Sequence, residues 1–268
     1  MNVTQLFLYP VKSMKGIPVN EAELSERGFQ LDRRWMVVDE NGLFISQRSQ
    51  PKLAAIQVTV GTTILRLSTT SDPTGVAIPL IPKAEQPSIR VKVWKSDCVA
   101  LGGFETANIW LSAQLSIKCQ LVYMPEDTKR GISSELVPKG AIVSFADGYP
   151  YLLIGSASLT DLNQRLESPV DYDRFRPNIV VKTEVPFEED QWKSFQLGIA
   201  SFQGIKPCSR CIMVNIDQES IVSSKEPLRT MATYRKEDNK VKFGLNTRWT
   251  GEGEMVRVGD EVKLLDFI

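Results

Sequence analysis

The chain has 268 residues, in which 32 Lys and Arg balance 32 Asp and Glu and histidine is absent. The absence of histidine excludes Ser-His and Cys-His nucleophile pairs, a histidine general base and a histidine-ligated zinc. Zero net charge argues against a dedicated nucleic-acid-binding protein, because such proteins need an excess of cations on one face. Any chemistry must come from Cys, carboxylate, Lys or Tyr side chains, or from a bound cofactor.

The composition is ordinary for a soluble globular protein, with 42% hydrophobic and 24% charged residues. No apolar run approaches the ~20 residues of a membrane span, and the N-terminus lacks a signal-peptide pattern. We therefore expect a cytoplasmic protein that does not bind a membrane. The cysteines are too sparse for a disulfide scaffold, so we expect reduced thiols at Cys98, Cys119, Cys208 and Cys211.

Short strands separated by turns are predicted for most of the first half of the chain. Their β-branched and aromatic residues fall in the segments 3–10, 34–46, 53–68 and 88–94. Gly42 and Gly61 mark two predicted hairpin turns. A helix is predicted over residues 105–115, where apolar residues recur with a period of roughly 3.6, and we expect it to lie on a β-barrel.

A polar segment with several Pro and Gly residues, 124–140, marks the predicted domain boundary. We therefore divide the chain into domains 1–123 and 124–268. In the second domain, a capping-box-like pattern at 158–161 predicts the start of a helix, and a second helix is predicted over 226–235 with Pro227 in its first turn.

The second domain also contains several strand-like segments, predicted near residues 179–181, 195–203, 212–216, 241–246 and 256–265. Strands and helices do not alternate as they do in βαβ units. The sequence therefore predicts an α+β, mainly β architecture of barrel type.

A Cys-x-x-Cys pair, Cys208 and Cys211, is the clearest chemical motif. Such a pair serves as a redox dithiol, as half of a zinc site, or to present one thiolate to a soft metal. A zinc site would lack a second ligand pair, and a thioredoxin-like pair would open a helix rather than a strand. What remains is a thiolate, favoured by Lys206 and Arg210 and offered to a metal or cofactor. Two idle thiols are the alternative.

Polar residues also gather at turns beside the predicted strands, in segments 9–16, 31–35 and 175–178. Taken singly, each of these residues fits a solvated surface. Together they suit an anionic ligand rich in hydrogen-bond acceptors, such as a phosphorylated heterocycle. The candidate donors are Lys12, Ser13, Arg33, Arg176, Asn178, Ser209 and Arg210.

These motifs, in this order, resemble the MOSC (molybdenum cofactor sulfurase C-terminal) family over nearly the whole chain. Three segments resemble the β-barrel domain that precedes the MOSC domain: LYPVKSMKG from Leu8, DRRW from Asp32 and QRxxPxL from Gln47. Four later segments resemble the MOSC domain itself: SLxDLNxRL from Ser158, FRPNIV from Phe175, CSRCI from Cys208 and FGxN from Phe243. The resemblance implies an N-terminal MOSC-type β-barrel domain packed on a MOSC β-barrel domain with short peripheral helices. The most similar patterns are those of the mitochondrial amidoxime reducing component and of bacterial reductases of N-hydroxylated compounds.

The resemblance implies a molybdenum cofactor, with Cys211 as the protein ligand of the metal and as a catalytic residue. No pyridoxal phosphate is expected. Asp147 and Tyr149, in a segment where the mitochondrial protein has an aspartate followed by small hydroxyl residues, are candidates for proton transfer. The pterin and its phosphate would be bound by Lys12, Ser13, Arg33, Arg176, Asn178, Ser209, Arg210 and Asn246.

The implied activity is the reduction of N-hydroxylated small molecules, such as amidoximes, hydroxylamines and hydroxylated bases, to the reduced nitrogen compound and water. The lack of histidine fits, because the cofactor supplies the redox chemistry. No cysteine follows Cys211, so we expect a separate flavin reductase, ferredoxin or cytochrome-type electron donor. The alternatives are a sulfur carrier with a persulfide on Cys211 and a non-enzymatic carrier of the molybdenum cofactor.

Overall fold

A computed structural model describes residues 1–267. The first half contains one helix, α1 (Glu105–Leu115), which has the predicted bounds, and a 3-10 helix at Pro51–Ala55. Its strands are β1 (Val3–Leu8), β2 (Ile17–Val19), β3 (Glu21–Ser25), β4 (Gly28–Phe29), β5 (Trp35–Val38), β6 (Gln57–Val60), β7 (Ile64–Ser68), β8 (Val76–Pro79), β9 (Ser88–Val93), β10 (Ser96–Leu101) and β11 (Gln120–Tyr123).

The second half is also dominated by strands. They are β12 (Tyr151–Gly155), β13 (Ile179–Val181), β14 (Trp192–Leu197), β15 (Ala200–Arg210), β16 (Lys236–Glu237), β17 (Lys240–Trp249), β18 (Met255–Arg257) and β19 (Val262–Phe267). The helices are α2 (Ser156–Arg165) and α3 (Leu228–Ala232), with 3-10 helices at Tyr172–Arg174, Glu188–Gln191 and Ile212–Asn215. The predicted α+β, mainly β class is confirmed. Within residues 1–267, no helix has the length and apolar character needed to cross a membrane.

The largest sheet has nine strands, in the order β19-β14-β15-β17-β12-β13-β1-β2 with β16 beside β17. Strand β1 pairs antiparallel with β13, and β3 pairs with β18. The first strands of the chain therefore join sheets built from its second half, and Val3 and Leu6 share a core with Trp192 and Phe195. The division at residue 123 stays a prediction.

A smaller sheet in the first half has the order β5-β11-β10-β9. Isolated pairs, Leu43 with Lys92 and Phe44 with Val38, link β9 back to β5 and close the sheet on itself. Helix α1 covers this half: its buried residues recur every four positions, so one face packs against the core around Trp35. The strands β6, β7 and β8 form a separate antiparallel sheet.

Three local predictions were wrong. The predicted strand 212–216 is the 3-10 helix Ile212–Asn215, which buries Val214 and leaves Ile212 exposed. The capping-box helix begins two residues early, at Ser156, because the Ser158 hydroxyl donates to the buried Glu189 carboxylate at 2.8 Å and does not cap. The helix predicted over 226–235 is shortened to α3, with Pro227 at its N-cap.

The expectation that βαβ units are absent was also wrong at one place. Strands β12 and β13 pair in parallel on either side of α2. The sequence pattern misses this unit because β13 has only three residues and lies more than ten residues beyond the helix.

Candidate functional site

A cavity of about 360 Å³ lies where the turns after β1 and before β5 meet the ends of β15 and β17. Residues from both halves of the chain line it. All of the residues singled out in the sequence are among them: Lys12, Ser13, Arg33, Asp147, Arg176, Asn178, Ser209, Arg210, Cys211 and Asn246. Their individual roles stay predictions.

The cavity is strongly cationic although the whole chain is neutral. Its lining includes one carboxylate, Asp147, and seven cations: Lys12, Arg33, Arg48, Arg174, Arg176, Lys206 and Arg210. Three of the cations form ion pairs, with Asp147, Asp32 and Asp217. Among residues 1–267 the other four have no carboxylate within salt-bridge distance. This local excess of positive charge suits an anionic ligand.

Three guanidinium nitrogens in the cavity walls are buried and have no hydrogen-bond partner within the described part of the chain. They are Arg48 Nη2, Arg176 Nη2 and Arg210 Nε. A buried donor without an acceptor costs about 1–3 kcal/mol. Burial lowers the pKa of Arg176 to about 10, so this side chain remains cationic at neutral pH. A ligand with several anionic oxygens, such as a phosphate ester, fits these donors.

Three lining residues have left-handed backbone conformations: Ser13 (φ 68°), Arg33 (φ 48°) and Arg176 (φ 57°). For residues other than glycine this region of φ is sparsely populated and costs of the order of 1–3 kcal/mol per residue. Such strain persists only where the surrounding structure enforces it, which is common at ligand sites. The turn segments identified in the sequence therefore adopt conformations that ordinary surface turns avoid.

Tyr9 supports the cationic wall from behind. Two guanidinium groups lie against its buried ring, with Arg33 Cζ 4.2 Å and Arg176 Cζ 4.3 Å from the ring centre. Burial raises the pKa of Tyr9, so its hydroxyl is neutral at physiological pH. The backbone of Gly16 approaches the ring so closely that a Cβ there would lie 2.4 Å from Tyr9 Cε1. The glycine of the LYPVKSMKG motif is thus required by packing.

A buried hydrogen-bond network connects Asp32 and Arg33 to Asn178, in the loop before β13. Asp32 accepts hydrogen bonds from Arg33 Nη1 at 2.6 Å, from the Tyr9 amide at 2.9 Å and from Asn178 Nδ2 at 3.2 Å. Asn178 Oδ1 in turn accepts from Arg33 Nη1 at 3.0 Å. Burial raises the pKa of Asp32, and Arg33 opposes that shift. The sequence analysis did not single out Asp32, although its place beside Arg33 in the DRRW motif is a usable signal.

Lys12 and Asp147 form a second charged pair. The buried ammonium of Lys12 donates to Asp147 Oδ1 at 2.5 Å and to the Phe145 carbonyl at 2.7 Å. Burial would raise the pKa of Asp147, but the charge and hydrogen bond of Lys12, helped by Arg48 and Trp94, lower it well below its usual value. Asp147 is therefore a carboxylate at neutral pH and a weaker base than an ordinary aspartate.

The Cys-x-x-Cys pair lies at the end of β15. Register shifts near Gly204 and Pro207 interrupt its pairing with β17, and proline cannot donate to the ladder. Cys211 follows the strand and is exposed at the cavity. The motif therefore runs out of a strand into a 3-10 helix, where a strand was predicted after Cys211.

Each cysteine of the Cys-x-x-Cys pair lies beside a guanidinium group. Arg210 Nη1 lies 3.2 Å from the sulfur of Cys208, and Arg48 Nη1 lies 3.3 Å from the sulfur of Cys211. Arg210 and Lys206 were the cations expected near the motif. Arg48 was missed as a site residue, although it lies in the QRxxPxL segment; its distance of 163 positions from Cys211 hides the contact from a local pattern.

The remaining predicted residues line the rim formed by β15 and β17. Ser209 Oγ accepts a hydrogen bond from Lys242 Nζ at 3.3 Å, and Asn246 Nδ2 donates to the Lys206 carbonyl at 3.2 Å. The antiparallel register places each of these pairs opposite one another. The Lys206 ammonium also lies 5.2 Å from the centre of the Tyr149 ring.

The fold and cavity define a mainly β protein with a cationic ligand site beside an exposed cysteine. In comparisons with known proteins, residues 1–118 match the MOSC N-terminal beta barrel domain and residues 141–263 match the MOSC domain. The chain belongs to the MOSC family, in the two-domain form that includes this N-terminal barrel.

Curated relatives match nearly the whole chain. The mitochondrial amidoxime-reducing component 1 of Mus musculus is 33% identical over 98% of this chain and 82% of its own length. The mitochondrial amidoxime reducing component 2 of Bos taurus is 32% identical over 87% of this chain and 72% of its own length. The molybdenum cofactor sulfurase of Danio rerio is 33% identical over 91% of this chain, which spans 31% of that longer protein.

Proposed function

We propose that this protein is a molybdenum-cofactor-dependent oxidoreductase that reduces N-hydroxylated compounds such as amidoximes, hydroxylamines and N-hydroxylated bases. The observation that carries the proposal is the meeting of an exposed thiol, Cys211, with three unpartnered buried guanidinium nitrogens in one cavity. Relatives named for amidoxime reduction, similar over nearly the full chain, support the substrate class.

The residues present fit the chemistry of this cofactor. A phosphate group would accept hydrogen bonds from Arg176 and Arg210, whose free nitrogens lie in the cavity walls. A cysteine thiolate suits a soft metal that already carries sulfur ligands, so Cys211 would hold the molybdenum. When bound, the cofactor would supply the two-electron redox and oxygen-transfer chemistry.

The chain's own residues bind, orient and carry protons. Arg33 is oriented for the cofactor by the buried Asp32 and Asn178. Asp147, ionised and paired with Lys12, is placed to accept a proton at the cavity. Because the Lys12 ammonium stabilises the unprotonated carboxylate, Asp147 is a weak base and would hold a proton only in passing.

Electrons are proposed to come from a separate protein of flavin reductase, ferredoxin or cytochrome type, in the cytoplasm. The four cysteines of this chain lie in separate places: Cys98 in β10, Cys119 just before β11, and the pair at the end of β15. A plant-type [2Fe-2S] cluster requires four cysteines around one centre.

The decisive experiment is metal and pterin analysis of the protein made in a host that synthesises the cofactor. We expect one molybdenum and one pterin per chain in the wild type, loss of molybdenum in Cys211→Ser, and retention in the matched variant Cys208→Ser. A persulfide on Cys211 without molybdenum would contradict the proposal and support sulfur transfer, the activity implied by the name of the sulfurase relatives.

Turnover distinguishes an enzyme from a cofactor carrier. Molybdenum-loaded protein, reduced by an artificial electron donor, is expected to convert benzamidoxime to benzamidine and hydroxylamine to ammonia. Loaded protein that converts neither compound would be a carrier, and the reductase proposal would be wrong.

A further inference from the structure

Trp94 is an unusual residue for the place it occupies. It lies in the tight turn between β9 and β10, has a left-handed backbone (φ 57°) and is 46% exposed. Turn positions with positive φ are normally taken by Gly, Asn or Asp, and a bulky residue there is strained. Trp94 is not among the residues that line the cavity. Its side chain nevertheless makes contacts with residues that do line the cavity.

Those contacts reach two charged residues of the cavity wall. The guanidinium carbon of Arg48 lies 4.3 Å from the centre of the Trp94 ring, within the range of a strong cation-π contact. The indole Nε1 donates to Asp147 Oδ1 at 3.2 Å, which fixes the plane of the ring. The Phe44 ring packs against the indole at 5.1 Å and prevents it from turning.

Arg48 is the connection between this tryptophan and the reactive thiol. Its Nη1 lies 3.3 Å from Cys211 Sγ, while its Nη2 is buried and has no partner within residues 1–267. Among these residues Arg48 has no carboxylate within salt-bridge distance. Of its two aromatic contacts, the one with Trp94 at 4.3 Å is shorter than the one with Phe44 at 6.0 Å, so Trp94 is the better placed to direct this long side chain toward the sulfur.

We propose that Trp94 is a positioning residue: its ring orients the Arg48 guanidinium so that one nitrogen meets the Cys211 sulfur and the other remains free for a ligand bound beside it. This role deepens the proposed function and rests on it for its catalytic consequence. A group bound at Cys211 would then meet a fixed hydrogen-bond donor from the N-terminal half of the chain. The N-terminal half would thereby help to select what binds at a thiol carried by the C-terminal half.

The contact can be tested on the full chain without any cofactor. Iodoacetate and iodoacetamide react with a thiolate by the same displacement and differ in charge, so the ratio of their rates cancels the fraction of thiolate and reports the positive charge beside the sulfur. Trypsin cleaves after Arg210, so Cys211 begins its own peptide and its two products can be measured by mass spectrometry separately from Cys208.

We expect the iodoacetate-to-iodoacetamide ratio at Cys211 to fall about threefold or more in Arg48→Ala, as loss of one nearby charge implies. The ratio in Trp94→Leu should lie within twofold of the ratio in Arg48→Ala, because this substitution removes the ring that holds Arg48. Trp94→Phe keeps a ring face and should retain more than half of the wild-type ratio. The matched control is Trp110→Phe, which loses an indole hydrogen bond to an aspartate, Asp72, away from the cavity; its ratio should stay at the wild-type value.

Two outcomes would overturn the positioning role. One is a wild-type ratio in Trp94→Leu alongside a reduced ratio in Arg48→Ala. The other is a fall in Trp94→Phe as large as that in Trp94→Leu. Trp94 lies on an exposed turn, and equal thermal midpoints confirm that each variant is folded. A wild-type protein that binds no molybdenum would refute the proposed function and leave this alkylation result intact.

Discussion

The amide of Asn178 donates a hydrogen bond to the carboxylate of Asp32 at 3.2 Å, joining residues 146 positions apart. Both side chains are almost completely buried. The bond links the turn before β5 to the loop before β13, and these are the segments that bring Arg33 and Arg176 against the ring of Tyr9. The cationic wall of the cavity therefore depends on a buried polar network.

Asn178→Ala should destabilise the protein by about 1–3 kcal/mol, because it removes the buried hydrogen bonds that Asn178 makes with Asp32, Arg33 and the Phe7 carbonyl. The measurement is the urea midpoint at constant m-value. The control is Asn246→Ala, whose side chain makes one exposed bond to the Lys206 carbonyl, with an expected change within about 0.5 kcal/mol. Equal effects of the two substitutions would contradict a supporting role for the network.

Gly16→Ala should destabilise the fold by about 1–3 kcal/mol, because the new Cβ would overlap the Tyr9 ring, which the two arginines hold in place. Gly131→Ala is the matched control, since a Cβ there meets no atom within 4 Å. Thermal unfolding of both variants tests the difference. A Gly16→Ala protein as stable as the wild type would show that Tyr9 can move away from its two cations.

Acid stability should depend on Asp147. Its folded-state pKa is lowered, chiefly by Lys12 acting against burial, so its contribution to stability is present above the unfolded-state pKa of about 3.9 and is lost as pH falls below that value. Asp147→Asn should therefore flatten the decline of the unfolding free energy between about pH 5 and pH 2. Glu85→Gln, which replaces an exposed carboxylate, is the control. An unchanged pH profile in Asp147→Asn would show that the pair with Lys12 adds nothing to stability.

Arg176→Met should weaken retention of the pterin cofactor about tenfold or more, because a charge-assisted hydrogen bond to phosphate is worth about 1.5–3 kcal/mol. Pterin and molybdenum per chain after dialysis against phosphate measure the loss. Arg229→Met, which changes an exposed arginine paired with Glu226, should retain the wild-type content. Full retention in Arg176→Met would place the phosphate elsewhere.

Much of the architecture could be predicted because it follows from local patterns. The apolar residues of segment 105–115 predict a helix with the observed bounds of α1, although one of them, Ile109, is exposed. β-Branched and aromatic runs between Gly and Pro predict the strands and the mainly β class. Donors such as Lys12 and Arg176 could be singled out because they lie in turns beside strands, whereas their gathering with Asp147 and Asn246 at one site was implied by the resemblance to the MOSC family.

Other features depend on contacts between distant segments, about which a local pattern carries no information. The apolar run after Cys211 fits a strand or a helix equally well, and burial of Val214 in the core beside Phe175 and Phe243 decides for a 3-10 turn.

By itself, then, the sequence determined the class of fold and the kinds of side chain at the site, because turn chemistry and hydrophobic period act between neighbours along the chain. Only the tertiary structure decided that Arg48 meets Cys211, 163 positions away, that it lies against the Trp94 ring, and that three guanidinium nitrogens have no acceptor within residues 1–267. Those relationships depend on how the two halves pack, since pairing across the nine-stranded sheet sets the distances between their loops.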